Sequence, residues 1–264
     1  MKTVNRILPM LLICLFLFSG CAPACTAERV PASPVPTAVP TPEPTPKTPT
    51  VTHTVRVIYA YEDGSMMLAD QNSSSVYRNK LPEGETYPAG TLLTLTCADS
   101  VQATFPESFD KIFDAEPVED GFDDRCALYL DVFEDLWSED TALQHETDYL
   151  GVDLSETSLR ESEQFALSWC FGELKEKEVL NGTFKELCEA GYINEEDLYW
   201  DNGCFVSIRE EGFLTDEEKD LYTVTFTAQK WRSGLGAIMF TNCTAERNKK
   251  GEWRDYTPGG FAIA

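Results

Sequence analysis

The residues whose types and spacing best suit chemistry fall in three short stretches of this 264-residue chain. Lys230-Trp231-Arg232 puts two cations and a large aromatic beside Ser233-Gly234, in a chain with 45 acidic and 21 basic residues and a formal charge of −24. A guanidinium grips a carboxylate or phosphate through parallel hydrogen bonds, and an indole stacks on a ring or a sugar, so Trp231 and Arg232 are the candidate ligand contacts. Ser108-Phe-Asp-Lys111 has the spacing of a serine nucleophile with a lysine base, but no Ser-Asp-Asn or Lys-Thr-Gly follows it. His145-Glu146 opens like the helix of a zinc protease, yet Tyr149 stands where the second histidine ligand belongs.

Cysteine and charge narrow the classes further. Among the nine cysteines, no two are separated by the two-residue gap of a zinc knuckle, and only His53 and His145 supply imidazole. No metal site and no cofactor is expected. Cys97, Cys126, Cys170, Cys188, Cys204 and Cys243 lie in segments of apolar periodicity, where a thiol behaves as a small hydrophobe, so free buried thiols are expected over a disulfide framework. The negative balance argues against nucleic acid and against adsorption on anionic lipid. The acidic clusters, Glu116 to Asp124, Glu134-Asp135, Glu195 to Asp197 and Asp216 to Asp220, read as solvated faces and loops. There is no Gly-x-Ser-x-Gly elbow, no phosphate-cradling glycine loop and no calcium loop. The expectation is a non-catalytic binding or scaffolding protein, with a cell-wall or glycan hydrolase using an unidentified acidic pair as the alternative.

Residues 1–21 decide where the rest resides. Lys2 and Arg6 precede an apolar run from Ile7 to Phe18, about a dozen residues against the roughly twenty that span a bilayer, which is the pattern of a secretory signal. Its end, Phe18-Ser19-Gly20-Cys21, resembles the lipobox of bacterial lipoproteins, with Phe18 where that family usually has Leu. The resemblance implies that Cys21 is diacylated, becomes the new N-terminus and tethers the protein to the extracytoplasmic side of the cell membrane. Residues 22–52 hold nine of the fifteen prolines. Proline favours extended polyproline II at ~3.1 Å per residue, so this linker is a semi-rigid spacer of up to ~95 Å.

The elements that must position the candidate residues form two modules in this reading. Over 53–106, short alternating runs at Val55 to Tyr59, Met66 to Ala69, Ser75 to Lys80, Thr91 to Cys97 and Val101 to Phe105 predict a small antiparallel β-barrel, closed so that no edge is left exposed. The segment from Gly90 to Phe105-Pro106 resembles the small OB-like barrels of unknown function in lipoproteins of Gram-positive bacteria. With only Arg56, Arg78 and Lys80 as basic residues, the barrel lacks a nucleic-acid face. Over 107–264 the spacing predicts helices at Arg125 to Trp137, behind a Ser158/Glu161 capping box burying Ala166, Trp169, Cys170 and Leu174, and at Phe184 to Ala190 behind Thr183/Glu186. A four-stranded antiparallel meander follows: Cys204 to Arg209, Tyr222 to Lys230, Ala237 to Glu246 and Glu252 to Tyr256. Helices before a meander predict an α+β fold with helices on one face of the sheet. This segment is similar to the C-terminal part of uncharacterised lipoproteins from Firmicutes.

Overall fold

The alternation that begins at Val55 becomes a strand with two differently employed faces. The computed structural model describes residues 49–216 and 221–264. Its first sheet has the order β3-β2-β1-β4-β7, from β1 (Thr50–Ala60), β2 (Met66–Asp70), β3 (Val76–Asn79), β4 (Leu92–Ala98) and β7 (Ile112–Pro117), with every neighbouring pair antiparallel. The two-residue strands β5 (Val101–Gln102) and β6 (Ser108–Phe109) pair with each other. Val55, Val57, Met66, Leu68, Leu93 and Leu95 point into one core, while Ile58, Met67, Ala69 and Val76 point into another. β2 is therefore buried on both faces, which is why Met66-Met67-Leu68-Ala69 is an unbroken apolar run.

The sheet is open. β3 and β7 end it, and a single parallel bridge between Tyr77 and Glu107 links β3 to the chain entering β6. The closed barrel expected over 53–106 is not formed, and the fifth strand comes from beyond Pro106.

Behind the second face lie α1 (Arg125–Ser138) and α2 (Glu161–Lys175). α2 packs on β1, β2 and β3, and α1 packs on the second sheet. That sheet runs β13-β12-β11-β10-β8-β9, built from β8 (Tyr149–Asp153), β9 (Glu178–Asn181), β10 (Gly203–Asp216), β11 (Leu221–Ser233), β12 (Gly236–Arg247) and β13 (Trp253–Thr257), with β14 (Gly260–Ile263) also pairing with β12. The predicted meander is its antiparallel part; β8 and β9 extend it in parallel beyond β10. Tyr149-Leu-Gly-Val-Asp escapes the strand pattern because Gly151 interrupts it. A Cβ there would meet Leu187, Trp200 and Phe205 within 3 Å, so close packing requires the glycine. α3 (Phe184–Glu189) covers the far face of the sheet, its Leu187 clustering with Ile193, Trp200, Phe205 and Trp231.

Helix starts follow sequence in one case and not in the other. Thr183 and Glu186 make the reciprocal cap before α3, with Glu186 N donating to Thr183 Oγ1 at 3.2 Å and Thr183 N to Glu186 Oε2 at 2.8 Å. α2 instead starts at Glu161, with Arg160 at the cap position and Ser158 two residues upstream of it. Leu174, predicted buried, is 43% exposed in the last turn of α2.

One core joins what the sequence divides. Ile58, Met67, Ala69 and Val76 of the first sheet belong to the same buried cluster as Tyr129, Val132 and Phe133 of α1, Phe171 of α2 and Phe226 of β11. Burying each such side chain is worth ~1.5–3 kcal/mol, so this interface cements the halves. The described residues all fall in one compact unit. No helix among them is long and apolar enough to cross a membrane.

Candidate functional site

A polar cavity of about 400 Å³ opens where β1 and the turns leading into α1 and α2 converge. Arg56 reaches it from β1 because period two sets it opposite Val55 and Val57, on the face toward α2. Its Nε donates to Glu163 Oε1 at 2.9 Å, and its Nη1 to the carbonyls of Gly90 (2.9 Å) and Gly121 (2.8 Å). Gln71 Nε2 donates to the same Glu163 oxygen at 3.2 Å. Arg125 enters from the first turn of α1: its Nη2 donates to Asp123 Oδ2 at 3.1 Å and its Nη1 to Ser158 Oγ.

Glu210 backs this wall. It accepts from Tyr129 Oη at 2.5 Å, Ser158 N at 2.9 Å and Ser158 Oγ at 3.0 Å, and stands 3.7 Å from Arg125 Nη1. Burial alone would lower the pKa of Arg125, but Asp123, Tyr129 and Glu210 outweigh it and raise the value. Burial, reinforced by Glu210, pushes Tyr129 far above the usual phenol range. Asp123 Oδ1 also accepts from Trp253 Nε1 at 2.7 Å, and Asp124 Oδ1 from Trp253 N at 2.7 Å, which pins β13 to the start of α1. Burial raises the Asp124 carboxyl.

Arg160 completes the lining and differs from the other two. It is exposed at the rim, and its guanidinium has no hydrogen bond or ion pair with any described residue.

The residues singled out in sequence take other places. Lys230 lies on the inward face of β11, 0% exposed, with Nζ donating to Gln144 Oε1 at 2.9 Å, to the carbonyls of Trp137 and Asp140 at 3.3 Å, and to that of Glu139. It caps the carboxyl end of α1. Trp231 points to the opposite face and is buried against Phe184, ring centroids 4.8 Å apart. Arg232 binds the carbonyls of His145 at 2.7 Å, Asp201 at 2.6 Å and Trp200 at 3.3 Å. Trp231 and Arg232 thus both make contacts within the fold, Trp231 with an aromatic ring and Arg232 with backbone carbonyls.

The other motifs are not assembled either. Ser108 Oγ accepts from Asn79 Nδ2 at 3.1 Å, while Lys111 lies over the Phe113 ring. His145 is exposed beside Glu146, 3.9 Å away. The six described cysteines are free; burial pushes Cys170 and Cys204 up to about 12 and Cys97 up to about 11, which keeps them from acting as thiolates. Cys21 and residues 22–48 of the expected linker lie outside the described residues, whereas its last three, Thr50, Val51 and Thr52, already belong to β1 and pair with β4, so the folded body begins ahead of the expected boundary at 52. The carboxyl ends of the parallel strands β8 and β9 frame a smaller crevice of about 170 Å³, in which Glu186 is occupied by the α3 cap.

Nothing in sequence announced the arginine cavity. Its members come from three distant segments, and the one local signal, Ser158/Glu161, points to a cap that Ser158 does not make. Comparison of the chain with family models, with curated proteins and with solved structures finds no match.

Proposed function

We propose that this protein is a membrane-anchored extracytoplasmic lipoprotein whose folded body has a non-catalytic binding or scaffolding role at the cell envelope. The observation that carries the reading is the run from Lys2 to Cys21, an apolar signal ending in a lipobox-like tetrapeptide, followed by a proline-rich spacer. Two acyl chains on Cys21 give stable insertion where one is marginal, at ~0.8 kcal/mol per buried methylene. The spacer then holds the compact body away from the bilayer, within reach of wall or envelope components.

A binding role is supported by a sizeable polar cavity whose carboxylates are committed to structure. Asp123 and Glu163 both accept from arginines, whereas a hydrolase needs one carboxyl free to protonate a leaving group. The Tyr77–Glu107 bridge supports reading the first sheet as a small OB-like barrel that stops short of closure.

The test is Cys21→Ala in the producing cell, followed by fractionation. Release to the medium, or accumulation of the unprocessed precursor, is expected. Membrane retention with normal trimming overturns the anchor.

A further inference from the structure

We infer that the arginine-lined cavity binds a small ligand through an oxyanion, a carboxylate or a phosphate, with Arg160 as the contact that the ligand completes. The inference rests on the binding role proposed above and gives it a site and a chemistry.

Charge makes the first argument. In a chain of net charge −24, Arg56, Arg78, Arg125, Arg209 and Arg254 each meet a carboxylate, and Arg232 and Arg247 are held by backbone carbonyls. Arg160, beside Glu161 and three residues from Glu163, has neither among the described residues. Of the three guanidiniums that line the cavity, Arg56 is paired with Glu163 and Arg125 with Asp123 and, behind the wall, Glu210. Arg160, at the rim, is the one with no carboxylate partner among the described residues.

Local structure makes the second. Arg160 occupies the cap position of a 15-residue helix, where Ser, Thr, Asp or Asn ordinarily accepts from the first turn. A guanidinium has no acceptor atom, and a cation there opposes the positive end of the helix dipole. The residue with a capping side chain, Ser158, is instead held by Arg125 and Glu210. The same chain caps α3 reciprocally with Thr183 and Glu186. Glu163 Oε2 accepts from Arg160 N at 3.0 Å, so the backbone half of the cap is made, while the Arg160 side chain contributes nothing to it and makes no other hydrogen bond or ion pair with the described residues; a local rule broken in this way marks a candidate functional position.

The third argument is an unmet donor on the cavity wall. Arg125 Nε is buried without a partner although both terminal nitrogens are engaged. An oxyanion between Arg160 and the first turn of α2 would be met by charge-assisted hydrogen bonds, and Arg56, fixed on Gly90, Gly121 and Glu163, supports the positive field without rearranging. A volume of about 400 Å³ suits a small metabolite or the acidic terminus of a larger molecule.

The experiment is titration calorimetry of the full chain in detergent with inorganic phosphate and with succinate, against chloride at equal ionic strength. Saturable binding of at least one probe is expected: phosphate alone identifies a phosphate site, succinate alone a carboxylate site. Arg160→Ala should weaken it by about tenfold or more, the size of a lost charge-assisted contact. Arg160→Lys should restore part of it, and Arg209→Ala should leave it unchanged. The Arg160 side chain has no partner among the described residues, so its loss does not threaten folding. Heats equal to chloride for both probes overturn the inference. Undiminished binding by Arg160→Ala also overturns it while leaving a binding role elsewhere intact, and the anchor is judged separately by Cys21→Ala.

Discussion

Arg56 on β1 and Glu163 on α2 meet at 2.9 Å across 107 residues of chain, with their side chains 13% and 9% exposed. The pair ties the first sheet to the helical layer, and the apolar cluster behind it runs through both. Removing one partner of such a pair leaves the other charge buried and uncompensated, which costs about 3–5 kcal/mol. Glu163→Ala should therefore lower the urea midpoint of the whole described body in a single transition. Two separate transitions, or a loss below about 1 kcal/mol, would show that the halves fold independently and that the pair is peripheral. Limited proteolysis should likewise leave 112–117 uncut, because β7 is paired along β4 there.

Tyr129 sets an alkaline limit. Its hydroxyl donates to Glu210 at 2.5 Å, and burial together with that carboxylate raises its pKa far above the usual 10.0. Above about pH 10 the unfolded chain releases this proton while the folded chain keeps it, so the folded state binds more protons and unfolding free energy falls as pH rises. At neutral pH Tyr129→Phe should cost only about 1 kcal/mol, because Glu210 retains both Ser158 donors. Between pH 9 and 11 the variant should lose stability less steeply than the parent. Parallel pH curves from thermal melts would remove Tyr129 from the account.

How much of this was legible depends on the range of the interaction. The helix at Arg125 and the Thr183/Glu186 cap are local patterns, and both appear where the spacing puts them. β8 and β9 are not legible, since a parallel pair takes its partners from across a crossover helix and Gly151 hides the alternation. The barrel failed for a related reason: closure depends on how β3 meets the β5–β6 arm, and the fifth strand lies past a proline that reads as a boundary. Arg56, Arg125 and Arg160 meet only through the packing of the helical layer on the first sheet. The triplet around Trp231 holds a different lesson. The same period of two that sends Val224, Phe226 and Ala228 inward sends Lys230 inward as well.

Lys230 therefore offers the sharpest test of the second sheet. Its ammonium is the donor for Glu139 O and Gln144 Oε1 at the end of α1, where carbonyls lack partners within the helix. Two effects oppose each other in Lys230→Met. The variant removes a desolvated charge, which favours it, and orphans buried acceptors, which costs about 1–3 kcal/mol. Trp137 O keeps Gln144 Nε2 as a donor at 2.9 Å and Asp140 O keeps Leu143 N at 3.1 Å, so the loss is confined to Glu139 O and Gln144 Oε1 and should come to about 1–2 kcal/mol net at pH 7. The pH dependence separates this from simple repacking. Burial lowers the pKa of Lys230 below the usual 10.5, against the partial support of Cys204, Asp140 and Glu139. Between that lowered value and 10.5 the unfolded chain holds a proton that the folded chain has released, so the parent gains stability as pH rises through the window. Lys230→Met should lack that gain, and its deficit should widen toward pH 10.5 when the two are compared by urea denaturation. A deficit that stays constant with pH would mean that Lys230 keeps an ordinary pKa, and that its ammonium is not paying a desolvation cost at the end of α1.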